Sequence, residues 1–125
     1  MQISQIMRRD VRTVRPRDTV QHAAAKMVES NSEAVPVCSR GRLVGMIVEH
    51  DIVERVAALG RDPAKTTVDE VMSRDPIYCF EDESDRHLVE EMGQLHLAQL
   101  PVLDRSGRVV GMAVLDEILR VAEER

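Results

Sequence analysis

The sequence repeats itself at a shift of 65 residues, as the match of Met7 to Met72 illustrates, and the repeat covers nearly the whole chain. After one inserted residue, the run Gly-Arg-Leu-Val-Gly-Met at 41–46 falls on Gly-Arg-Val-Val-Gly-Met at 107–112. Ordered matches of this kind indicate two copies of one structural unit. We expect the copies to span residues 1–62 and 63–125.

The length and composition favour a single small globular body with an aliphatic core. The 125 residues are 43% apolar and 31% charged, a balance typical of folded domains and unlike that of disordered chains. Tyr78 and Phe80 are the only aromatic residues. Neither half carries enough apolar surface to be stable by itself, so the two halves are expected to share a core.

The first repeat predicts the order strand, helix, strand, strand, helix. Residues 11–14 form a short extended piece, and Asp18 or Thr19 caps the helix that follows. That helix is expected to bury one apolar stripe, consisting of Val20, Ala23, Ala24, Met27 and Val28. Strands at 35–38 and 43–48 meet in a hairpin whose turn contains Gly41. A helix from about Glu49 to Gly60 closes the repeat, with an expected buried face of Ile52, Val53 and Val56.

The sequence of the second repeat predicts the same order of strands and helices. Strands are expected at 77–80, 100–103 and 109–114. Ser84 caps the intervening helix, whose expected buried positions are Leu88, Val89, Met92 and Leu95. The expected core positions of the closing helix are Ile118, Leu119 and Ala122. The fold class is therefore α+β, with two βαββα repeats packed face to face around a pseudo-two-fold axis.

Charge and composition argue against several classes of function. The net charge of -5 disfavours nucleic acid as a partner, and the chain lacks aromatic stacking platforms. The first seventeen residues are nevertheless rich in arginine, which indicates either a solvated face or an anion-binding surface. No apolar run suits a membrane span and no signal peptide is evident, so we expect a cytoplasmic protein.

The cysteines and histidines do not form a recognisable metal or catalytic pattern. Cys38 and Cys79 lie in apolar segments and are expected to be buried structural thiols, with a regulatory disulfide or a metal site as the alternatives. His22 and His87 share a repeat position and are expected to be exposed on their helices. No metal, catalytic cofactor or catalytic residue is expected, because no nucleophile, P-loop or zinc-protease motif is present.

Two stretches carry a family resemblance, namely Val35-Pro36-Val37 and the run Gly-Met-Ile-Val-Glu-His-Asp-Ile at 45–52. They resemble the cystathionine-β-synthase (CBS) domain, and the match recurs in phase in the second repeat. The resemblance implies a standalone Bateman module, in which two CBS repeats form two clefts. Such clefts commonly bind an adenosyl ligand such as AMP, ATP, NAD or S-adenosylmethionine.

By position, the resemblance implies that three segments of each repeat line the clefts. The first repeat contributes Val11, Arg12 and Thr13, then Ala34, Val35 and Pro36, then Val48, His50 and Asp51. The second contributes Pro76, Ile77 and Tyr78, then Gln99, Leu100 and Pro101, then Val114, Asp116 and Glu117. Backbone groups of the first segment would bind the adenine, and the carboxylate at the strand-to-helix corner would bind the ribose.

The corners depart from the family pattern in both repeats. Val48 and Val114 stand where the family usually has a hydroxyl residue that faces the phosphate, and Glu117 stands where it has aspartate. Asp51 keeps the aspartate. A carboxylate at a helix start also stabilises the helix without any ligand. Cations that could compensate for the valines are His50, Arg9, Arg12, Arg74 and Arg108.

The sequence therefore predicts a ligand-sensing regulatory module that is not an enzyme and that acts on a separate effector protein. The alternative is a structural or protein-interaction module with no nucleotide bound. The closing helices carry surplus apolar residues at Ala57, Ala58, Leu59 and Val121. We therefore expect a homodimer whose parallel or antiparallel arrangement stays open.

Overall fold

The computed structural model describes residues 1–124, which group into two compact units. The central unit is Arg12–Pro76, and the terminal unit combines Met1–Val11 with the chain from Ile77 onward. The first eleven residues thus pack with the strands of the second repeat, although they precede the first. The boundary between residues 62 and 63 remains a prediction about the sequence repeats.

The central unit is built on an antiparallel hairpin of β1 (Ala34–Ser39) and β2 (Arg42–Val48). Helix α1 (Val20–Ser30) precedes the hairpin. Helix α2 (Glu49–Ile52) follows β2 and continues into a π-helical turn, Val53–Ala57. A short 3-10 helix at Val68–Glu70 completes the unit.

Local sequence explains where these elements begin and turn. The Thr19 hydroxyl accepts a hydrogen bond from the His22 amide at 3.1 Å and so caps α1, as predicted. Arg40 and Gly41 both have positive φ, 54° and 78°, which makes the two-residue turn typical of tight hairpins. Outside the hairpin, Val14 adds a parallel bridge to Val37.

The terminal unit repeats this plan with a longer sheet. Its sheet has the order β3 (Cys79–Phe80), β4 (Gln99–Leu103), β5 (Val109–Val114), with β3 parallel and β5 antiparallel to β4. Helix α3 (Asp85–Leu95) begins after Ser84, whose hydroxyl accepts from the Arg86 amide. Helix α4 (Leu115–Glu123) closes the unit. A 3-10 helix at Ile3–Gln5 supplies the remaining piece.

Each unit has its own aliphatic core. The central core is formed by Val14, Val20, Ala23, Met27, Val35, Val37, Ile47, Val56, Val68, Val71 and Met72. The terminal core is formed by Ile3, Met7, Cys79, Leu88, Met92, Leu100, Val102, Ala113 and Ile118. The mixed α+β fold class is therefore confirmed, and each core includes apolar residues from a 3-10 segment that belongs to the other repeat in sequence.

A glycine in each sheet makes room for that 3-10 segment. A Cβ built on Gly45 would lie 2.6 Å from the Ser73 carbonyl oxygen, and one built on Gly111 would lie 2.8 Å from the Arg8 carbonyl oxygen. Met46 and Ser73 exchange two backbone hydrogen bonds at this contact. The glycines of the two Val-Gly-Met runs are thus required by the close approach of two backbones.

Five expected core positions are exposed instead. Val28, Val53, Leu95 and Leu119 keep 83%, 60%, 46% and 39% of their surface, and Ala122 is also exposed. The prediction was wrong for them because a helix buries only the part of its apolar stripe that faces its own sheet. Val28, for example, lies about 80° around the helix from Val20. No helix within residues 1–124 is long and apolar enough to cross a membrane.

Candidate functional site

The fold brings residues 12–13, 34–36 and 48–51 of the three predicted ligand segments together at one end of the central unit's hairpin, whereas Val11 belongs to the terminal unit. Ala34 pairs with Val48 in the β1–β2 register. The parallel bridge between Val14 and Val37 sets residues 12–13 alongside 35–36. The Glu49 amide donates to the Glu33 carbonyl at 2.9 Å and fixes the turn from β2 into α2. The predicted cluster of the central unit is therefore a true spatial neighbourhood.

The terminal unit assembles its segments in the same way, except that Pro76 belongs to the central unit. Gln99 pairs with Val114, and the parallel pairing of Cys79 with Val102 sets residues 77–78 alongside 100–101. Ile77 and Tyr78 are exposed, whereas Val35 and Leu100 are buried in their cores. The β1 and β4 segments can therefore offer a ligand mainly backbone groups.

The corner carboxylate of the central unit caps its own helix. The Val48 amide donates to Asp51 Oδ2 at 3.0 Å, which satisfies one of the free N–H groups at the helix start. The Asp51 side chain stays half-exposed. The neighbouring His50 is exposed and lies 2.7 Å from the Glu54 carboxylate, so it faces along the helix rather than the corner.

The corner carboxylate of the terminal unit is held by an ion pair. Arg8 Nη2 lies 2.5 Å from Glu117 Oε1, and both side chains are about one-third exposed. Val114 precedes α4 without any side-chain cap, and Asp116 is exposed. Arg8 was absent from the predicted set because it lies more than a hundred residues away in sequence.

Three of the other predicted cations are engaged through their side chains within their own units, and Arg108 donates through its backbone amide to Asp104. Arg9 donates to the Ser4 carbonyl, and Arg74 donates to the Asp69 carbonyl. Arg12 pairs with Glu29 at 3.2 Å. None of these contacts places a guanidinium on Asp51.

The histidines and cysteines behave largely as the sequence suggested. His22 and His87 are exposed, 3.9 and 3.7 Å from Asp18 and Glu91 respectively. Cys79 is buried, and desolvation, together with nearby glutamates, raises its thiol pKa to about 12. Cys38 is half-buried, and burial also raises its pKa. Within residues 1–124 no three His, Cys, Asp or Glu side chains are grouped to hold a metal ion.

A groove that the sequence did not predict lies at the opposite end of β1. It encloses about 1100 Å³ between the turn before α1 and the β1–β2 hairpin. The side chains that give it its character are Arg15, Arg17, His22, Cys38 and Arg40. The sequence indicated only that the first seventeen residues are rich in arginine. Arg40 could not be predicted as part of the groove, because only the folded hairpin brings it there.

Comparison with known proteins gives a consistent result over both repeats. The family model for the CBS domain matches residues 3–58 and 68–124. A CBS domain-containing protein of Bacillus subtilis, YhcV, is 34% identical over 116 residues, which are 93% of this chain and 81% of that protein. Other curated relatives are longer. The chain spans 21% of a homoserine O-acetyltransferase of Methanosarcina acetivorans, with 31% identity over 117 residues.

Solved structures share the fold over nearly the full length. The CBS domain pair of protein MJ0100, in complex with 5-methylthioadenosine and S-adenosyl-L-methionine, has a TM-score of 0.85 and 27% identity and covers 99% of this chain and 97% of that one. Hypoxic Response Protein I, with two coordinated zinc ions, has a TM-score of 0.84 and 29% identity and covers 96% and 98%.

Proposed function

Since the chain belongs to the CBS domain family and carries two copies of the domain, we propose that it is a regulatory module whose site at Asp51 binds an adenosyl ligand. The observation that carries the proposal is the convergence of residues 12–13, 34–36 and 48–51 beside a half-exposed carboxylate. A pair of ribose hydroxyls is the natural donor set for such a carboxylate. The structure of MJ0100 with two adenosyl compounds gives the ligand class support.

The carboxylates at the strand-to-helix corners of the two units differ in their contacts. Asp51 makes one hydrogen bond, to the neighbouring Val48 amide, whereas Glu117 is an ion-pair partner of Arg8. A ligand at Glu117 would have to compete with the guanidinium for the carboxylate. The central unit therefore provides the stronger ribose anchor. In the terminal unit, exposed Tyr78 provides a ring surface against which adenine can pack.

The phosphate end of the ligand is the weaker point, because Val48 and Val114 offer no hydroxyl. A ligand whose affinity depends on its adenosine moiety fits this chemistry better than one held through its phosphates. No enzymatic activity is proposed, since the corner carboxylates act as a helix cap and an ion-pair partner. In this proposal the module adjusts the activity of a separate effector protein.

The test is calorimetric titration of AMP, ATP, NAD, S-adenosylmethionine and adenosine into the wild type and two corner variants. Asp51→Ala should weaken adenosine binding by about 1.5–3 kcal/mol, roughly ten- to a hundred-fold. Val48→Thr should strengthen AMP binding by about 1 kcal/mol and leave adenosine unchanged, because the new hydroxyl can donate to phosphate. Glu90→Ala, which removes an exposed carboxylate of α3, is the control. Unchanged binding in Asp51→Ala would refute the site.

The alternative function is a protein-interaction module without a nucleotide, and the valine corners favour it. The two functions differ in thermal unfolding. A ligand that binds only the folded state must raise the unfolding temperature. If no adenosyl compound raises it at millimolar concentration, the interaction module is the better description.

A homodimer is part of the proposal. Val53, in the π-helical turn, and Leu59, just after it, keep 60% and 69% of their surface, and such exposed apolar residues favour contact with a second copy. Light scattering should give twice the 14.1 kDa monomer mass. Leu59→Glu should shift the protein toward monomer, whereas Val28→Glu, at an exposed valine on α1, should not.

A further inference from the structure

The groove at the far end of β1 has a charge that its counterpart in the other unit lacks. Arg17 and Arg40 line it, one from the turn before α1 and one from the β1–β2 hairpin. The 65-residue shift places Asp82 and Arg105 at the same positions of the terminal unit. The two units can therefore be compared residue by residue.

In the terminal unit this position pair forms an ion pair. Arg105 donates to Asp82 through Nε at 3.0 Å and through Nη2 at 2.8 Å, a bidentate contact. The same guanidinium lies 4.1 Å from the centre of the Phe80 ring. The pairing lowers the pKa of the Asp82 carboxyl through its hydrogen bonds to Arg105. The fold thus brings these two positions within direct contact distance.

The central unit carries a second cation in place of that carboxylate. Arg17 and Arg40 are exposed, and neither guanidinium donates to a carboxylate among residues 1–124. Arg15 adds a third guanidinium to the same groove. The arrangement is that of an ion pair whose anion is not supplied by the described part of the chain. Because the terminal unit folds with the opposite charge there, the fold does not require an arginine at position 17.

We propose that this groove binds a small phosphate-bearing anion. The anion accepts hydrogen bonds from Arg17 and Arg40, in the way that the Asp82 carboxylate accepts them from Arg105. A guanidinium presents a planar fork of N–H donors that matches a phosphate group bidentately. Two such forks, with Arg15 beside them, suit a ligand that carries more than one phosphate. The inference does not depend on the Asp51 corner. Cys38 and Arg40 line the groove at one end of β1, whereas Ala34 pairs with Val48 at the other end, and Thr13 is the one residue that borders both sites.

The surroundings of the groove are compatible with an anion. Cys38 lines it as a neutral thiol, because burial raises its pKa, and so adds no competing negative charge at neutral pH. The Asp18 carboxylate is engaged within the turn before α1, where its Oδ2 accepts a hydrogen bond from the Arg15 amide at 2.8 Å. The first amides of α1 are also satisfied, Val20 by the Thr66 carbonyl and His22 by Thr19. Recognition therefore falls to the arginine side chains.

The experiment is titration of inorganic pyrophosphate at constant ionic strength, followed by calorimetry and thermal unfolding. The wild type should bind and gain unfolding temperature. Arg17→Asp should raise the unfolding temperature of the free protein, because it rebuilds the ion pair with Arg40, and should weaken pyrophosphate binding at least roughly tenfold. Arg40→Gln should weaken binding without the gain in stability. Arg86→Asp, the same charge change at an exposed position on α3, is the matched control and should bind as the wild type does.

Alkylation by iodoacetamide locates the bound anion. Pyrophosphate should slow modification of Cys38, which lines the groove, in the wild type but not in Arg17→Asp. Asp51→Ala should leave this protection intact, which separates the groove from the adenosyl site. Equal pyrophosphate binding by the wild type and Arg17→Asp would overturn the proposal. So would tighter binding of an oligoglutamate peptide of equal charge, which would make the groove a protein-docking surface.

Discussion

Asp51 and Glu117 occupy matching strand-to-helix corners, yet Asp51 caps its own helix while Glu117 pairs with Arg8. The arginines at positions 17 and 40 and the ion pair between Asp82 and Arg105 show a second difference of the same kind. The buried residues of the two units match each other more closely than these exposed residues do. The repeats therefore share the positions that form cores and backbone contacts, whereas the side chains that reach the surface give each unit its own chemistry.

The largest expected effect tests matching core positions of the two repeats. Ile118→Ala removes a fully buried side chain and should lower the free energy of unfolding by about 2–5 kcal/mol. Ile52 has the matching position after β2 but is only partly buried, so Ile52→Ala should cost roughly half as much. Urea denaturation measures both values. Equal losses would show that the closing helices contribute equally despite the π-helical turn after Ile52.

The second prediction concerns the shared glycines. Gly45→Ala and Gly111→Ala should each destabilise the protein by about 1–3 kcal/mol, because the added Cβ meets a backbone carbonyl and a methionine side chain. Gly93→Ala is the matched control. It lies in α3 with open space around it, and alanine there should stabilise by about 0.5–1 kcal/mol. A neutral effect of Gly45→Ala would mean that the two backbones do not approach so closely in solution.

The third prediction concerns how much the two corner carboxylates stabilise the protein in the absence of ligand. Asp51→Ala should cost about 1 kcal/mol of stability, because a helix-start amide loses its acceptor. Glu117→Ala should cost about 0–1 kcal/mol, as is usual for an exposed ion pair. Chemical denaturation at low and high salt separates the two. High salt should reduce the stability loss in Glu117→Ala and leave the loss in Asp51→Ala unchanged. The reverse pattern would mean that Asp51 acts mainly through charge and Glu117 as a cap.

The smallest expected effect is the pH dependence of the Asp82 ion pair. The pKa of Asp82 is lowered in the folded state, so the contact stabilises the protein above the unfolded-state pKa, which is about 3.9. That contribution is lost as the pH falls through the folded-state pKa. Unfolding temperatures measured between about pH 2.5 and 6 should therefore fall less steeply in Asp82→Asn than in the wild type. Asp75→Asn, at an exposed aspartate of the central unit, should follow the wild type.

Much of the fold was predictable from the sequence because its signals are local. The caps at Thr19 and Ser84 and the hairpin turn at Gly41 were confirmed. The order of strands and helices was confirmed too, except that the first predicted strand, at 11–14, is reduced to a single bridge at Val14. These features depend on residues only a few positions apart. The helix faces were predicted less well, and Val53 and Leu119 proved exposed, because periodicity does not show how much of an apolar stripe the neighbouring sheet covers.

The predicted site fared differently from its surroundings. The convergence of residues 34–36 with 48–51 follows from the hairpin register, which the apolar pattern and the turn determine. The partner of Glu117 could not be predicted, because Arg8 reaches it only through the packing of the first eleven residues in the terminal unit.

The internal repeat, most of the order of elements, the aliphatic character of the cores and the family resemblance could all be predicted from the amino-acid sequence. The packing of residues 1–11 in the terminal unit and the groove lined by Arg17 and Arg40 became visible only in the folded structure. Local propensity and hydrophobic periodicity act over a few residues. Contacts between distant segments depend on which surfaces the folded backbones bring within reach, and an exposed arginine leaves no trace of its neighbours in the pattern.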